Sequence, residues 1–325
     1  MNTEIERPEK LVPTGANSAA LLAQSSRFIP GGVNSINRAI QPEISFVKGR
    51  GAYIWDAEGR RYIDYHAAFS PHFLGHNDPY VQDAVARVLQ SGASLFGAGC
   101  TEMESRLAEL ICSHVPWVES LQILNTGSEA TYQAIRLARA FTARDHVIVM
   151  QGGYNGWHND VACNLMTPLS QLGPHRSPGE YPFLPISAGT YNGHPVPVAA
   201  AIATIERLLM NDGAVYRHVD ILGAHLEHGL HAIVSRLGLK AVIARQGSAY
   251  CLYFMDHPPV DWHDLAGHHD FALDERMRRS LIARGVFYFP LATKQCSLSA
   301  AHTLEEVEVT LRETEAALAE TLVRG

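Results

Sequence analysis

The chain has 325 residues, of which 46% are hydrophobic and 18% charged, and its formal net charge is −7. Such a composition is typical of a globular protein that can bury one large core or two moderate ones. The 26 basic residues are scattered rather than clustered. The charge pattern therefore predicts neither a nucleic-acid partner nor binding to an anionic membrane.

No apolar run approaches the length that spans a bilayer, and residues 1–6 are acidic and polar rather than typical of a signal peptide. We therefore expect a cytoplasmic protein. Five widely spaced cysteines without a CxxC pair favour free thiols. The 17 histidines raise a metal hypothesis, but no fixed ligand spacing occurs, so no metal is predicted. The densest histidine group is His257, His263, His268 and His269.

The predicted elements begin with a β-hairpin. Residues 49–64 contain two short apolar strands around a turn at 56–59. A helix follows from Asp78 to Gly92, where apolar residues recur at helical spacing. A second helix opens at Thr101, and Glu104 three residues later completes a capping box.

The next segment predicts a strand, a helix and a second strand. Leu121 to Asn125 and His146 to Met150 are the predicted strands, and Ser128 to Ala143 is the helix between them. In a βαβ unit the two strands are parallel, and their crossover is right-handed. We expect the apolar face of the helix to point inward; it comprises Ala130, Ala134, Leu137, Ala138 and Phe141.

Two loops of this unit predict a ligand site. The turn 126–128 opens the helix, where free backbone N–H groups and the helix dipole attract a phosphate. Ser128 as an ordinary N-cap would explain the same residues. In the second loop, 152–158, glycines let a ligand approach the backbone, and Tyr154 offers an aromatic face to a flat ring.

The remaining residues predict a small mixed domain. Helices are expected at 198–210, 219–237 and 273–283, and strands at 241–244, 250–255 and 286–289. Thr303 and Glu306 cap a final amphipathic helix.

The order of these motifs resembles the class III aminotransferases of fold type I, and among them the glutamate-1-semialdehyde aminomutase-like branch. The resemblance implies an α/β protein. Its truncated fold-type-I large domain, with a parallel sheet, would occupy residues 65–205. A smaller α+β domain would combine the N-terminal segment 1–64 with the C-terminal segment 206–325. The matching peptides are Pro30-Gly31-Gly32-Val33-Asn34-Ser35 with Arg38, Gly51-Ala52-Tyr53-Ile54-Trp55-Asp56, Asp64-Tyr65, Leu74-Gly75-His76, Thr126-Gly127-Ser128-Glu129-Ala130, Gly153-Tyr154-Asn155-Gly156-Trp157-His158 and Gly189-Thr190-Tyr191-Asn192-Gly193-His194-Pro195.

Members of this family use pyridoxal 5'-phosphate, so the resemblance implies that cofactor and an amino-acid substrate. Gly127 and Ser128 would hold the cofactor phosphate, and Tyr154 would stack on the ring. Asn155 stands where the family usually has histidine. Thr190 would reach the phosphate of the neighbouring subunit, which implies a homodimer.

The chain departs from the family between residues 182 and 189. Members that resemble it carry roughly a hundred further residues there, including the lysine that forms the imine with the cofactor. Those residues also supply several strands of the central sheet and the aspartate that pairs with the pyridine nitrogen. The lysines of this chain are Lys10, Lys48, Lys240 and Lys294, and none occupies that position.

Three residues are candidates for the substrate side of the site. The resemblance places Ser35 and Arg38 near the substrate pocket, and Lys294 on a loop that reaches toward the substrate. Three roles stay open for Lys294: a replacement imine-forming lysine, a point charge for a substrate carboxylate, or a solvated or salt-bridged side chain.

Three hypotheses about function follow. The first is an aminotransferase or aminomutase that acts on an amino acid. The second is a catalytically impaired family remnant that binds phosphate or pyridoxal phosphate without a covalent link. The third is that the given sequence omits an internal segment, through engineering, gene deletion or the way the sequence was assembled. Physical reasoning favours the last two, because a sheet without its middle strands leaves its helices without an apolar partner.

Overall fold

The computed structural model describes residues 15–35, 38–94, 99–150, 153–162 and 195–323. The helices are α1 (Ala16–Ser26), α2 (Pro79–Gln90), α3 (Glu102–His114), α4 (Gly127–Thr142), α5 (Pro195–Arg236), α6 (Trp262–His268), α7 (Phe271–Ala283) and α8 (Leu304–Val323). The strands are β1 (Phe46–Arg50), β2 (Tyr53–Asp56), β3 (Arg61–Asp64), β4 (Val242–Gln246), β5 (Ala249–Tyr253), β6 (Val286–Phe287) and β7 (Cys296–Ser297). Within the described ranges, no helix is long and apolar enough to cross a membrane.

The chain divides into two compact units. The first unit consists of Met1–Asp78, Met210–Pro258 and His269–Gly325, and the second consists of Pro79–Leu209 and Pro259–His268. The first unit thus combines residues from both ends of the chain. All the strands of the described residues lie in it.

The predicted hairpin at 49–64 is confirmed as the β2–β3 pair of the first unit. Its turn is organised by Asp56, whose Oδ1 accepts the backbone N–H groups of Glu58 at 3.0 Å and Arg60 at 2.8 Å. The other carboxylate oxygen accepts the Tyr62 hydroxyl at 2.7 Å. Gly59 completes the turn at φ +81°, a conformation that a side chain disfavours.

Two sheets and three helices build the core of the first unit. The sheet β1-β2-β3 is antiparallel, and β6 adds to β3 in parallel through the pairs Ile63 with Val286 and Asp64 with Phe287. The second sheet has the order β4-β5-β7. Leu226 of α5, Leu281 of α7 and Val307 of α8 meet in the core and expose at most 1% of their surface. Burying such a side chain contributes about 1.5–3 kcal/mol.

Gly75 offers a stability test in this unit. Its φ is +89°, and an added Cβ would lie 2.5 Å from the Ala301 Cβ and 3.0 Å from the Gly51 carbonyl oxygen. We expect Gly75→Ala to lower the free energy of unfolding by about 2–4 kcal/mol, because strain and overlap add. Gly59→Ala is the matched control, since its φ is +81° but a Cβ there meets nothing within 4 Å.

Gly59→Ala should lower the free energy of unfolding by only about 1–2 kcal/mol, through backbone strain. Urea denaturation of the two variants measures the difference. Equal losses would contradict the close packing at Gly75.

Helix α5 is interrupted by non-helical backbone at the boundary between the units. The residues Asn211, Asp212 and Gly213 have φ of 53°, 54° and 67°, inside a range assigned as one helix. Asparagine, aspartate and glycine tolerate this left-handed conformation better than other residues. The sequence predicted two helices, 198–210 and 219–237, and the structure confirms the break between them.

The helices of the second unit begin where local signals predict. Thr101 is the N-cap of α3: its side chain accepts the Glu104 backbone N–H, and the Glu104 carboxylate accepts the Thr101 backbone N–H at 3.0 Å. This confirms the predicted capping box. Helix α4 spans Gly127–Thr142, one residue from the predicted bounds, and ends at Ala143 in the left-handed conformation.

The two strands predicted on either side of α4 are wrong. Neither Leu121–Asn125 nor His146–Met150 is assigned as a strand, and the second unit contains helices but no strand among its described residues. Ile148 exposes 94% of its surface and Met150 exposes 75%. A parallel strand is stable only inside a covered sheet, and the described residues of the second unit supply no neighbouring strand for these two segments.

The apolar face of α4 was also predicted to point inward, and this is wrong. All five predicted residues are exposed in the structure, Leu137 at 67% and Phe141 at 90%. The amphipathic pattern is present, but no strand among the described residues of the second unit packs against it. Those residues leave the apolar face of α4 exposed.

Candidate functional site

The amino end of α4 leaves backbone donors available. Thr126 is the N-cap, because its hydroxyl oxygen accepts the Glu129 N–H at 3.1 Å, while the Glu129 carboxylate accepts the Asn125 N–H at 2.9 Å. Ser128 is therefore not the N-cap of α4, and Thr126 takes that role.

The N–H groups of Gly127 and Ser128 follow this cap. Within the described part of the chain neither has an acceptor. A Cβ built on Gly127 would meet nothing within 4 Å, so the space in front of the helix is open. Free N–H groups and the positive end of the helix dipole favour an anion at such a place.

The loop 153–158 packs against this helix end. The Trp157 N–H donates to the Ser128 Oγ at 3.2 Å. The Thr131 hydroxyl donates to the Asn155 carbonyl oxygen at 2.7 Å. Gly156 has φ +121°, and a Cβ on it would lie 2.9 Å from the Ser128 Cα. The two loops that the sequence singled out are thus in direct contact, and only glycine fits at their closest approach.

A buried ion pair fixes the far end of this loop. Arg139 of α4 donates from Nη1 to Asp160 at 2.9 Å and from Nε to the Asp145 carbonyl oxygen at 2.8 Å. Both charged side chains expose less than a tenth of their surface. The sequence did not reveal this pair or the role of Thr131, because no spacing relates residues that approach only through the fold.

The side chains predicted to contact a ligand ring remain accessible. Tyr154 is 56% exposed, and its ring packs edge-on against Trp157, with centroids 5.9 Å apart. Asn155 uses its side-chain amide to donate to the Gly153 carbonyl oxygen at 3.3 Å. An exposed aromatic face beside an open helix end suits a flat anionic ligand.

The three residues predicted for the substrate side of the site do not belong to the second unit. Ser35, Arg38 and Lys294 are in the first unit. Arg38 is exposed and borders a cleft of about 220 Å³ formed by residues 18–45, which Ser35 does not line. Thr190 lies outside the described residues.

Lys294 is half-buried in the first unit. Burial and the neighbouring Arg278 guanidinium lower the pKa of its ammonium group. Its Nζ lies 5.8 Å from the centroid of the Phe69 ring. The Lys294 amine is thus partly buried beside an aromatic ring and is not fully solvated.

Comparison with protein families identifies one match. The family model described as aminotransferase class-III matches residues 35–187. The match contains both loops of the second unit, 126–128 and 153–158. It ends inside the interval, 182–189, where the missing segment was predicted.

Proteins with similar sequences include glutamate-1-semialdehyde 2,1-aminomutases. The enzyme from Thermus thermophilus is 27% identical, over 90% of this chain and 96% of its own length. That from Nitrosospira multiformis is 47% identical over 145 residues, which are 43% of this chain and 33% of that protein. The first alignment has 417 positions and exceeds the 325 residues of this chain by 92. At least that many positions of the relative have no counterpart here, in agreement with the predicted loss.

A solved structure shows the same fold. It is a lysine-to-alanine variant of a glutamate-1-semialdehyde aminomutase from Pseudomonas aeruginosa PAO1 in complex with PMP, with a TM-score of 0.78 and 18% identity. The superposition covers 94% of this chain and 95% of that one. The predicted α/β fold of the fold-type-I transferases is therefore confirmed.

Proposed function

We propose that this chain is a class-III aminotransferase, as its similarity to that family over residues 35–187 supports, and that it binds pyridoxal 5'-phosphate at the amino end of α4 and acts on amino acids. Its reaction would be that of a transaminase or an aminomutase of the glutamate-1-semialdehyde type. The observation that carries the proposal is the contact of the 126–128 turn with the 153–158 loop around free backbone donors. Fold likeness alone would support a weaker statement.

The residues present fit the phosphate end of this cofactor. Gly127 and Ser128 would donate their N–H groups to phosphate oxygens, and the Thr126 cap keeps the helix end in place. Gly156 allows the second loop to approach without a Cβ in the way. Tyr154 would cover one face of the ring and exclude water from it. When bound, the cofactor supplies an electron sink for chemistry at an amino-acid α-carbon.

The second unit offers no residue for the covalent imine link to the cofactor. The second unit contains no lysine, since all four lysines of the chain fall in the segments of the first unit. This favours a second candidate function, binding of the cofactor without a lysine link and with impaired turnover. The solved complex of a lysine-to-alanine aminomutase variant with PMP supports it, because that protein holds its ligand after the loss of a lysine.

Formation of a 2-oxo acid from an amino acid tests the two candidates. With saturating pyridoxal phosphate and an excess of a second 2-oxo acid as amino acceptor, we expect slow, stoichiometric product and no sustained turnover, because a base that moves the substrate proton contributes about 10²–10⁴-fold to such a reaction. Chromatography of the oxo acid over time measures this. Multiple rapid turnovers would reject the impaired candidate, and cofactor binding with no product would reject the enzyme.

We propose further that the protein is a homodimer. The exposed apolar residues Leu137, Phe141 and Ile148 of the second unit support association, since apolar patches of this kind usually mark contact surfaces. Sedimentation velocity at micromolar concentration should show a species of twice the 35.6 kDa chain mass. A single monomeric boundary would contradict the proposal.

A further inference from the structure

His158 lies between helix α4 and the carboxylate of Asp160. Its Nε2 is 3.1 Å from the Thr131 hydroxyl oxygen of α4, and its Nδ1 is 3.6 Å from the Asp160 carboxylate. Nδ1 is buried and has no hydrogen-bond partner within the described ranges. The side chain is 13% exposed, and its ring packs edge-on against Tyr132, with centroids 5.2 Å apart. Each ring nitrogen thus faces a polar group of a different segment.

The hydrogen atoms available to these contacts are limited. The Thr131 hydroxyl has one hydrogen, and the Asn155 carbonyl oxygen accepts it at 2.7 Å. The Thr131 oxygen can then only accept, so Nε2 of His158 must donate to it. A neutral ring with its hydrogen on Nε2 turns the Nδ1 lone pair toward the Asp160 carboxylate, which repels it. A ring protonated on both nitrogens makes both contacts attractive.

The other neutral form of the His158 ring weakens the loop contact instead. With its hydrogen on Nδ1 the ring faces Asp160 favourably, but Nε2 then needs the hydrogen of the Thr131 hydroxyl. The Asn155 carbonyl oxygen, which belongs to the 153–158 loop, would lose its donor from α4. Each neutral form therefore weakens one of the two contacts, and only the charged form keeps both.

The charged groups around His158 act in both directions. Asp160 favours a cationic ring, although its other carboxylate oxygen accepts from Arg139 Nη1 at 2.9 Å. Arg139 opposes a cationic ring, as does Arg136, whose guanidinium lies 5.4 Å from the centroid of the Tyr132 ring. Because these charges oppose one another, the hydrogen bonds to Thr131 and Asp160 decide which form of the ring is favoured.

We propose that His158 is a proton-dependent positioning residue, whose doubly protonated ring holds the 153–158 loop against α4 and whose deprotonation loosens that contact. The same loop reaches the helix end where the Trp157 N–H donates to the Ser128 Oγ. An anion at the amino end of α4 therefore binds more tightly when His158 is charged. This regulation rests on the proposed ligand site. The linkage is reciprocal, so a bound anion also favours the protonated ring.

NMR of the histidine ring nitrogens tests the loop contact on the full-length protein without ligand. Imidazole rings change charge between about pH 5 and pH 8. We expect the His158 ring signals and the backbone amide signals of Gly156 and Trp157 to titrate with one midpoint. Thr131→Val should uncouple the amide signals from the ring, whereas Thr131→Ser, which keeps the hydroxyl, should preserve the coupling. A ring that keeps one protonation state over this range, or loop signals that stay constant while it titrates, would overturn the proposal.

Sulfate binding tests the effect on the helix end, because the charge of sulfate is constant over this range. From the amide shifts of Gly127 and Ser128 we expect a sulfate Kd about 5- to 10-fold weaker at about pH 8 than at about pH 6. His158→Gln cannot titrate and should reduce this difference to less than about twofold. His114→Gln is the control and should leave it unchanged, since His114 contacts the Leu110 carbonyl oxygen of its own helix at 2.8 Å.

An undiminished pH dependence of the sulfate Kd in His158→Gln would overturn the proposal. Failure of sulfate to bind at any pH would reject the anion site at α4. The ligand-free titration would still decide whether His158 controls the loop, so the two failures are distinguishable.

Discussion

Asp274→Ala is expected to lower the free energy of unfolding by about 3–5 kcal/mol, because it leaves the Arg278 guanidinium buried without a counter-charge. Arg278 exposes 1% of its surface and donates from Nε to Asp274 at 2.6 Å. Asp274 also accepts the Thr293 N–H at 2.7 Å and pairs with His269 at 3.2 Å. One substitution therefore breaks several buried contacts at once.

An exposed ion pair provides the control. Arg236 and Glu315 pair at 2.6 Å with side chains 58% and 36% exposed. Arg236→Ala should lower the free energy of unfolding by only about 0.2–1 kcal/mol. Urea denaturation followed by circular dichroism measures both variants. A loss below 1 kcal/mol for Asp274→Ala would show that solvent reaches the pair.

The buried pair of Asp274 and Arg278 should make the stability of the first unit sensitive to acid. Burial alone would raise the pKa of Asp274, but the Arg278 guanidinium and the hydrogen bonds from His269 and Thr293 outweigh it and lower the pKa. A carboxyl group with a lowered folded-state pKa contributes stability above its unfolded pKa. That contribution is lost as the pH falls through the folded-state pKa.

Gly156→Ala is expected to weaken pyridoxal phosphate binding by about 10- to 100-fold. The new Cβ would lie 2.9 Å from the Ser128 Cα and Oγ, and the φ of +121° is strained for any side chain. The 153–158 loop must then move away from the helix end that we propose binds the phosphate. Absorbance titration of the cofactor measures the change in Kd.

Gly153→Ala is the matched control in the same loop. Its nearest contacts to a new Cβ are at 3.3 Å and 3.5 Å, and its φ is not positive. We expect a change of less than about threefold in Kd. Equal weakening by the two substitutions would mean that the contact with Ser128 does not matter for binding.

Local signals predicted most of the first unit and the helix starts of the second. Thr101 with Glu104 predicted the start of α3, and an Asn-Asp-Gly sequence at 211–213 breaks α5, because a few neighbouring residues decide caps and turns. The strand prediction at 146–150 failed, since a strand depends on partners elsewhere in the chain. No strand among the described residues of the second unit pairs with this segment.

The sequence likewise predicted the local features of the candidate site but not its long-range contacts. The 126–128 turn and Tyr154 followed from sequence, because glycines, a helix start and an aromatic residue are local features. The Arg139 pair with Asp160 joins residues 21 apart and depends on the fold of the loop. The contact of the Lys294 amine with the Phe69 ring joins residues more than 200 positions apart, and no sequence pattern relates them.

Amide NMR of the labelled protein tests the central claim, phosphate binding at the amino end of α4, most directly. On titration with pyridoxal phosphate we predict the largest shifts at the backbone N–H groups of Gly127 and Ser128, with smaller shifts at Trp157. Inorganic phosphate should move the same two signals, because the backbone donors recognise the phosphate oxygens. Saturable binding that leaves the Gly127 and Ser128 signals unchanged would contradict the claim.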